Sequence, residues 1–439
     1  MTNYLITSCI VLPMTAEGGG TEYFTASVGL CGGKICLVSD DKGRIESFRR
    51  SCAESGNGLT EIDGRGKLLM PGLINMHTHV AMTLMRSYAD DMPLMPWLHE
   101  RIWPFEARLT RDDIYVGARM GIAEMLLGGT TTFTDMYWHE NAVGEAVEQM
   151  GIRAVLSPCF IDSNMEAFEQ DMELSVRLAA SCDRLSVMVA PHAPYSCSSE
   201  NIRRGIEVAD KYGVGIHSHI AETKSEVESI ASAAGLTPVQ YVDSLGMFER
   251  PAVAAHLVYV DDRDIEILAS KGVAAVHNPQ SNMKLSSGIA PMWKMMQRGV
   301  NVCIGTDGAS SNNDLDMWDE MRTAALLQKA AGDDPCVMPA YEVLKAATVN
   351  AAKAIGRQGE LGIVAEGATA DVILVDLQRP HLQPCHDIVS TLVYCGKASD
   401  VDTVFVAGRM LVAGGRLVEC DQMQLVEETN RRVAEILAR

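Results

Sequence analysis

Pro71-Gly72-Leu73-Ile74-Asn75-Met76-His77-Thr78-His79 opens on a turn, continues through apolar residues and ends on two histidines one residue apart. Alternate side chains of a strand share a face, so His77 and His79 point the same way while Thr78 points away. Two imidazoles on one face can grip one metal ion. Short apolar or β-branched segments recur down the chain and close on residues of the same chemical kind. These are His219 in His217-Ser218-His219-Ile220-Ala221-Glu222, His256 in Ala254-Ala255-His256, and Asp307 in Ile304-Gly305-Thr306-Asp307-Gly308.

Counting such segments predicts the architecture. Strands are expected at 73–79, 130–136, 152–159, 186–192, 214–219, 252–256, 273–277 and 300–307. Between them, 113–127, 166–180, 199–212 and 262–271 carry apolar residues at a spacing close to 3.6, that of a helix. Eight β–α units suggest an α/β fold, a closed TIM-type (β/α)8 barrel, whose active sites are built at the C-terminal strand ends. Six of the eight predicted strands end at a histidine or an aspartate. The segment 81–111, with Trp97, Trp103 and three prolines, is too long for a plain connection and is expected to cover the barrel mouth as a lid and substrate wall.

The two ends of the chain read differently. Residues 1–68 are strand-like, with Gly18-Gly19-Gly20 and Gly32-Gly33 as turns. From about 360 onward, Asp371-Val372-Ile373-Leu374-Val375 and Thr403-Val404-Phe405-Val406-Ala407-Gly408 are strand and turn patterns, with no helix expected before 424–437. The expected organisation is a barrel at 69–359 flanked by one small β-sandwich domain formed by both termini, 1–68 and 360–439. No internal repeat or low-complexity tract interrupts it.

Composition narrows the function classes. A 439-residue chain that is 47% hydrophobic has ample material for a core, and 5% aromatic content argues against a surface of base-stacking platforms. A net charge of -20 repels phosphate backbones and anionic lipid, so neither nucleic acid nor membrane is an expected partner. The twelve cysteines lie between Cys9 and Cys420 without a CxxC pair, in a chain too large to need disulfide staples. They are expected to be reduced thiols of a cytoplasmic protein. The first residues carry no basic segment ahead of an apolar run, and no run approaches the length of a membrane span.

Three imidazoles and one carboxylate on a divalent ion leave room for a water, as a catalytic site requires. His77, His79, His219 and Asp307 supply that set. Alone, each would read as a hydrogen-bonded core residue; at the ends of successive strands, together they point to a metal-dependent hydrolase. His217 shares the face of His219 but lies deeper, so His219 is assigned and His217 is expected to pack behind the site. Glu222 follows His219 by three residues, where the chain leaves the strand, and a carboxylate there can shuttle a proton. Out of context it would read as a helix-start glutamate. His256 is either a ligand to a second ion or a group that handles the hydroxide and the leaving amine.

Whole segments narrow the reading further. The stretch from Pro71 to Arg86, His277-Asn278-Pro279-Gln280-Ser281-Asn282-Met283-Lys284-Leu285, and Gly305-Thr306-Asp307-Gly308-Ala309-Ser310-Ser311-Asn312-Asn313-Asp314-Leu315 resemble the amidohydrolase superfamily. Within it they resemble the 5-methylthioadenosine/S-adenosylhomocysteine deaminases, over nearly the whole chain. The resemblance implies attack of a metal-bound hydroxide on C6 of an adenosine-type nucleoside, giving the inosine analogue and ammonia. The implied substrates are 5-methylthioadenosine, S-adenosylhomocysteine, 5'-deoxyadenosine or adenosine. It further implies that Glu222 protonates the purine N1, that His256 and Asp307 handle the other protons, and that Glu106 binds the ribose hydroxyls. His192 would bind the nucleoside and Trp97 would wall the pocket. Two-metal relatives carry a bridging lysine at the fourth strand, and Ala190-Pro191-His192-Ala193-Pro194 has none. One divalent ion per chain is therefore expected, zinc first, with iron, manganese or cobalt also suited to these ligands. The expected partners are a small nucleoside and further copies of the chain.

One departure bears on S-adenosylhomocysteine. Relatives that accept it hold its carboxylate with arginines near the third strand, where this chain has Pro158, followed by an acidic stretch from Asp162 to Glu173. Two other readings remain open: an aminohydrolase of another heterocycle such as a triazine or guanine, for which a ribose-binding Glu106 would be idle, and a noncatalytic assembly protein on the same fold, for which the complete ligand set would be idle.

Overall fold

The structure, a computed structural model, describes residues 2–15, 22–56 and 58–439; the expected Gly18-Gly19-Gly20 turn lies outside them. Eight parallel segments form the barrel in chain order, starting at Leu73–His79, Thr130–Asp135 and Arg153–Leu156. Leu185–Pro191, Gly215–Ile220, Ala252–His256, Ala274–His277 and Asn301–Ile304 complete them. Asp307–Gly308 then pairs in parallel with Thr78 and His79 and closes the ring. The closure needs a close approach. A Cβ on Gly305 would lie 2.7 Å from the backbone nitrogen of His77, so only glycine lets the eighth strand pass the first.

The helices expected between strands are present at Arg111–Leu127, Met165–Ser181, Ser199–Tyr212 and Asp262–Lys271. The third strand is interrupted: Arg153–Leu156 and Cys159–Phe160 are separate pieces. Pro158 explains the break, because it brings no N–H to the ladder. The segment after the first strand folds as short helical turns, Val80–Met85, Leu94–Trp97, Leu98–Ile102 and Trp103–Glu106.

Both chain ends enter one nine-stranded sheet. They meet where Lys67–Pro71 pairs antiparallel with Val372–Asp376, and Ile6, Val28, Leu69, Val372, Leu374 and Phe405 share one buried cluster. Two helices in these ends were not expected. Lys42–Glu54 buries only Cys52, so it carries almost no apolar periodicity, although Asp41 caps it through Arg44 N at 2.7 Å. Ile388–Cys395 is rich in β-branched residues and reads as a strand, yet Ile388, Val389, Leu392 and Val393 bury one helical face. Here packing overrides propensity. The expectation of reduced thiols also fails at one pair: Cys31 and Cys36 form a disulfide beside the turn of the Phe24–Cys31 and Lys34–Ser39 hairpin.

One buried ion pair and two part-buried ones on a shared aspartate join the terminal units to the barrel. Arg153, in the third barrel strand, bonds Asp371 through Nε at 2.8 Å and Nη2 at 3.2 Å, and both side chains are 5% exposed or less. Asp113, fully buried, receives Arg432 and Arg439 of the C-terminal helix region. Removing one member of a buried pair leaves the other charged and unpaired. Arg153→Ala is therefore expected to lower stability by about 3–5 kcal/mol in chemical denaturation, and a loss below about 1 kcal/mol would refute this account of the joint.

Candidate active site

The strand ends bring the sequence candidates to one point. One ligand atom each from His77, His219, His256 and Asp307 lies within 4.8 Å of the others. His79 Nε2 joins them at 3.1 Å from Asp307 Oδ1 and 3.2 Å from His219 Nε2. The strand ends thus bring His77, His79, His219 and Asp307 together, and His256 lies with them.

Hydrogen bonds behind the rings decide which nitrogen faces inward. His79 Nδ1 donates to the carbonyl of Met136 at 2.5 Å, and His219 Nδ1 donates to the carbonyl of His192 at 2.8 Å. His256 Nδ1 donates to Asn282 Oδ1 at 2.9 Å. His77 Nδ1 donates to His217 Nε2 at 2.9 Å, and His217 in turn reaches Ser157 Oγ at 3.3 Å. A neutral imidazole that spends its proton on Nδ1 presents a lone pair at Nε2. All four Nε2 atoms thus offer lone pairs to one centre, and that of His77 is buried without a hydrogen-bond partner. Lone pairs 3.2 Å apart repel unless a cation lies between them, so this donor set fits a divalent metal ion.

Electrostatics agree. Burial holds His77 down to about 4, and holds His219 well below the usual histidine range, so both rings are neutral ligands. Burial would raise Asp307, but its contacts with His77 and His79 outweigh that and hold it well below the carboxylate range. Burial also opposes charge on His79, yet the bond to Asp307 and its charge draw that ring up to about 9, so without an ion a proton on Nε2 takes the place of the cation between the rings. The pair attracts positive charge. Ser281 Oγ donates to Asp307 Oδ2 at 2.6 Å, and Gly308 N to Oδ1 at 2.9 Å, fixing the carboxylate. His256 and Asp307 both hold left-handed backbone, at φ 75° and 64°, a conformation that non-glycine residues keep where the surroundings enforce it.

Glu222 sits beside this centre. The chain leaves the fifth strand through Ala221 at φ 56°, and Glu226 accepts the backbone N–H of both Ala221 and Glu222 at 2.8 Å. Burial pushes Glu226 up to about 7 against those two bonds. Ser287 Oγ donates to Glu222 Oε1 at 2.9 Å, leaving Oε2 3.9 Å from His256 Nε2.

A cavity opens above the centre. His192, Glu222 and His256 line its floor, while Trp97, Trp103 and Glu106 form part of the lid wall. Trp97, Glu106 and His192, the substrate contacts expected from sequence, all line this cavity. Pro158 does not line it; Cys159 does, while Pro158 is buried and bridged to Tyr137. Ser287, Ser157 and Tyr137 were not singled out from sequence. Ser281 and Asn282 lie inside a segment already quoted for its resemblance, so a signal for them existed.

The amidohydrolase family model matches residues 68–411. The chain is 43% identical to the 5-methylthioadenosine/S-adenosylhomocysteine deaminase of Pelotomaculum thermopropionicum, over 100% of both chains. It is 42% identical to the 5'-deoxyadenosine deaminase of Methanosarcina mazei, over 100% of this chain and 99% of that one. Among solved structures, the adenosine deaminase of Xanthomonas campestris with bound zinc superposes with a TM-score of 0.91 and 33% identity, covering 100% of this chain and 99% of that chain.

Metal analysis of purified protein is expected to give about one divalent ion per chain, and Ser281→Ala, which frees the Asp307 carboxylate, to weaken metal affinity by about 10- to 100-fold. Two ions per chain, both required for activity, would overturn the single-centre arrangement.

Proposed function

The chain belongs to the amidohydrolase family, and from that premise we propose that its cavity hydrolyses the 6-amino group of an adenosine-type nucleoside, yielding the inosine analogue and ammonia. One observation carries the reading: the histidine–aspartate centre with Glu222 and the lid carboxylate Glu106 line one cavity. The deaminase names of the relatives support the same chemistry.

His77, His79, His219 and Asp307 would hold the ion, and the zinc of the Xanthomonas relative makes zinc the ion we assign. A divalent ion held there supplies a water of lowered pKa as the nucleophile. The remaining work belongs to the protein. Glu222, braced by Ser287 and by Glu226 beneath its backbone, takes one proton of the water and gives it to the purine N1. Asp307, kept ionised, takes a proton and passes it to the departing amine, and His256, fixed by Asn282, steadies the attacking oxygen. The C6–O bond forms, the C6–N bond breaks, and one water is consumed. His192 presents its ring to the base; burial holds it down to about 3, so it meets the nucleoside uncharged.

The tail of the nucleoside meets an apolar wall. Leu94, Trp97, Leu98, Ile102 and Trp103 line it, and among the described lining residues there is no lysine or arginine. The arginine of the third strand, Arg153, is committed to Asp371. Short, uncharged 5' substituents therefore fit better than an amino-acid tail.

The test is ammonia release measured over adenosine nucleosides, free purines and triazines; turnover of the last two alone would refute the nucleoside reading. Glu222→Gln should retain the metal and lose about 10²- to 10⁴-fold in kcat, with Asp307→Asn worse because it weakens metal binding too. Near-normal turnover of Glu222→Gln would remove Glu222 from the mechanism. On one preparation, kcat/KM for 5-methylthioadenosine is expected to exceed that for S-adenosylhomocysteine by about 10- to 100-fold, the worth of one missing charge-assisted hydrogen bond. Equal use of the two would show that another cation reaches the tail.

A further inference from the structure

Glu106 does not stand alone in the wall. Tyr137, two residues past the second barrel strand, donates its hydroxyl to Glu106 Oε1 at 2.7 Å; the neighbouring Trp138 lines the same cavity. All three residues line the cavity, and Tyr137 is 3% exposed with its ring 6.3 Å from that of His79. An ionised carboxylate offers about four lone-pair sites. Tyr137 takes one on Oε1, which leaves a free site on each oxygen, enough for the two hydroxyls of a vicinal diol.

We propose that Tyr137 is a positioning residue for sugar recognition: its hydroxyl holds the Glu106 carboxylate in the one orientation that accepts both ribose hydroxyls, and so sets selectivity for nucleosides with an intact 2',3'-diol. The inference rests on the nucleoside reading of the cavity. Glu106 sits on a turn of a lid segment made of short helices, where a carboxylate side chain would otherwise sample several rotamers. Tyr137 belongs to the rigid barrel rim. The bond between them registers the lid wall against the strand ends that hold the reacting centre. Burial pushes Glu106 up to about 7, and the Tyr137 bond works against that shift, so the hydroxyl also favours the ionised acceptor.

The experiment compares adenosine, 2'-deoxyadenosine and 3'-deoxyadenosine on the metal-loaded enzyme and on Tyr137→Phe, Glu106→Gln and the double variant. Tyr137→Phe removes one hydroxyl and keeps the ring. It is expected to raise KM for adenosine about tenfold while kcat moves less than about threefold, and to shrink the preference for adenosine over either deoxynucleoside by a similar factor. In the Glu106→Gln background the same change should add less than about twofold, because the residue it positions has already been altered. A uniform fall in kcat on every substrate, or an undiminished effect of Tyr137→Phe in the Glu106→Gln background, would overturn the proposal. Unchanged selectivity in Tyr137→Phe with an active parent overturns this inference alone. A parent that releases no ammonia from any adenosine nucleoside overturns the underlying reading as well.

Discussion

Two ring nitrogens, His79 Nε2 and His219 Nε2, face each other at 3.2 Å while the Nδ1 of each ring is held by a backbone carbonyl, and the rest of the structure serves that contact. Left to themselves the rings would turn apart. What prevents it is a set of acceptors behind each ring, two of them backbone carbonyls that cannot rotate away. The carbonyls belong to Met136 and His192, each just past the end of a barrel strand. Parallel pairing thus fixes ligand geometry through the backbone, and side-chain entropy is removed before an ion arrives.

The cost of the arrangement appears in the shell behind it. Asp135 accepts from Thr78 Oγ1 at 2.6 Å and from Val80 N at 2.7 Å, which locks the strand end carrying His79. Its neighbour Glu140 is fully buried, and burial with the nearby charges of Asp135 and Asp171 raises it well above the carboxylate range. A neutral Glu140 can donate to Asp135, so one carboxyl group serves as donor where no lysine or arginine is within the hydrogen-bond network described. Charge is confined to the few groups that need it.

Most of this was legible from residues whose signal is local. Strand-end histidines announce themselves by alternation, and the barrel follows from counting them. The misses share a different cause. Ser287 reaches Glu222 across 65 positions of sequence, and Tyr137 meets Glu106 across 31, so neither pairing leaves a periodic trace. Lys42–Glu54 escaped because it buries a single side chain, and Ile388–Cys395 because β-branched residues pack there as a helix. The break at Pro158 was visible in the residue type itself, but its consequence, that Cys159 rather than Pro158 meets the cavity, depends on how the chain resumes pairing after the gap.

The division between rim and lid explains where chemistry and selectivity can change independently. Every group assigned to the reacting centre sits at or just beyond a strand end, where pairing on both sides leaves little freedom. Trp97, Trp103 and Glu106 sit instead on short turns, joined to the barrel rim by specific bonds such as that from the Tyr137 hydroxyl to Glu106 Oε1 at 2.7 Å. Substitutions in that wall alter which molecule is held without moving the Nε2 atoms, since no ring of the centre takes its hydrogen bond from the lid. A fold built this way can keep one hydrolytic centre while its wall is rebuilt for a different ring or tail, because the strands that orient the ligands and the segment that recognises the substrate are held by separate sets of contacts.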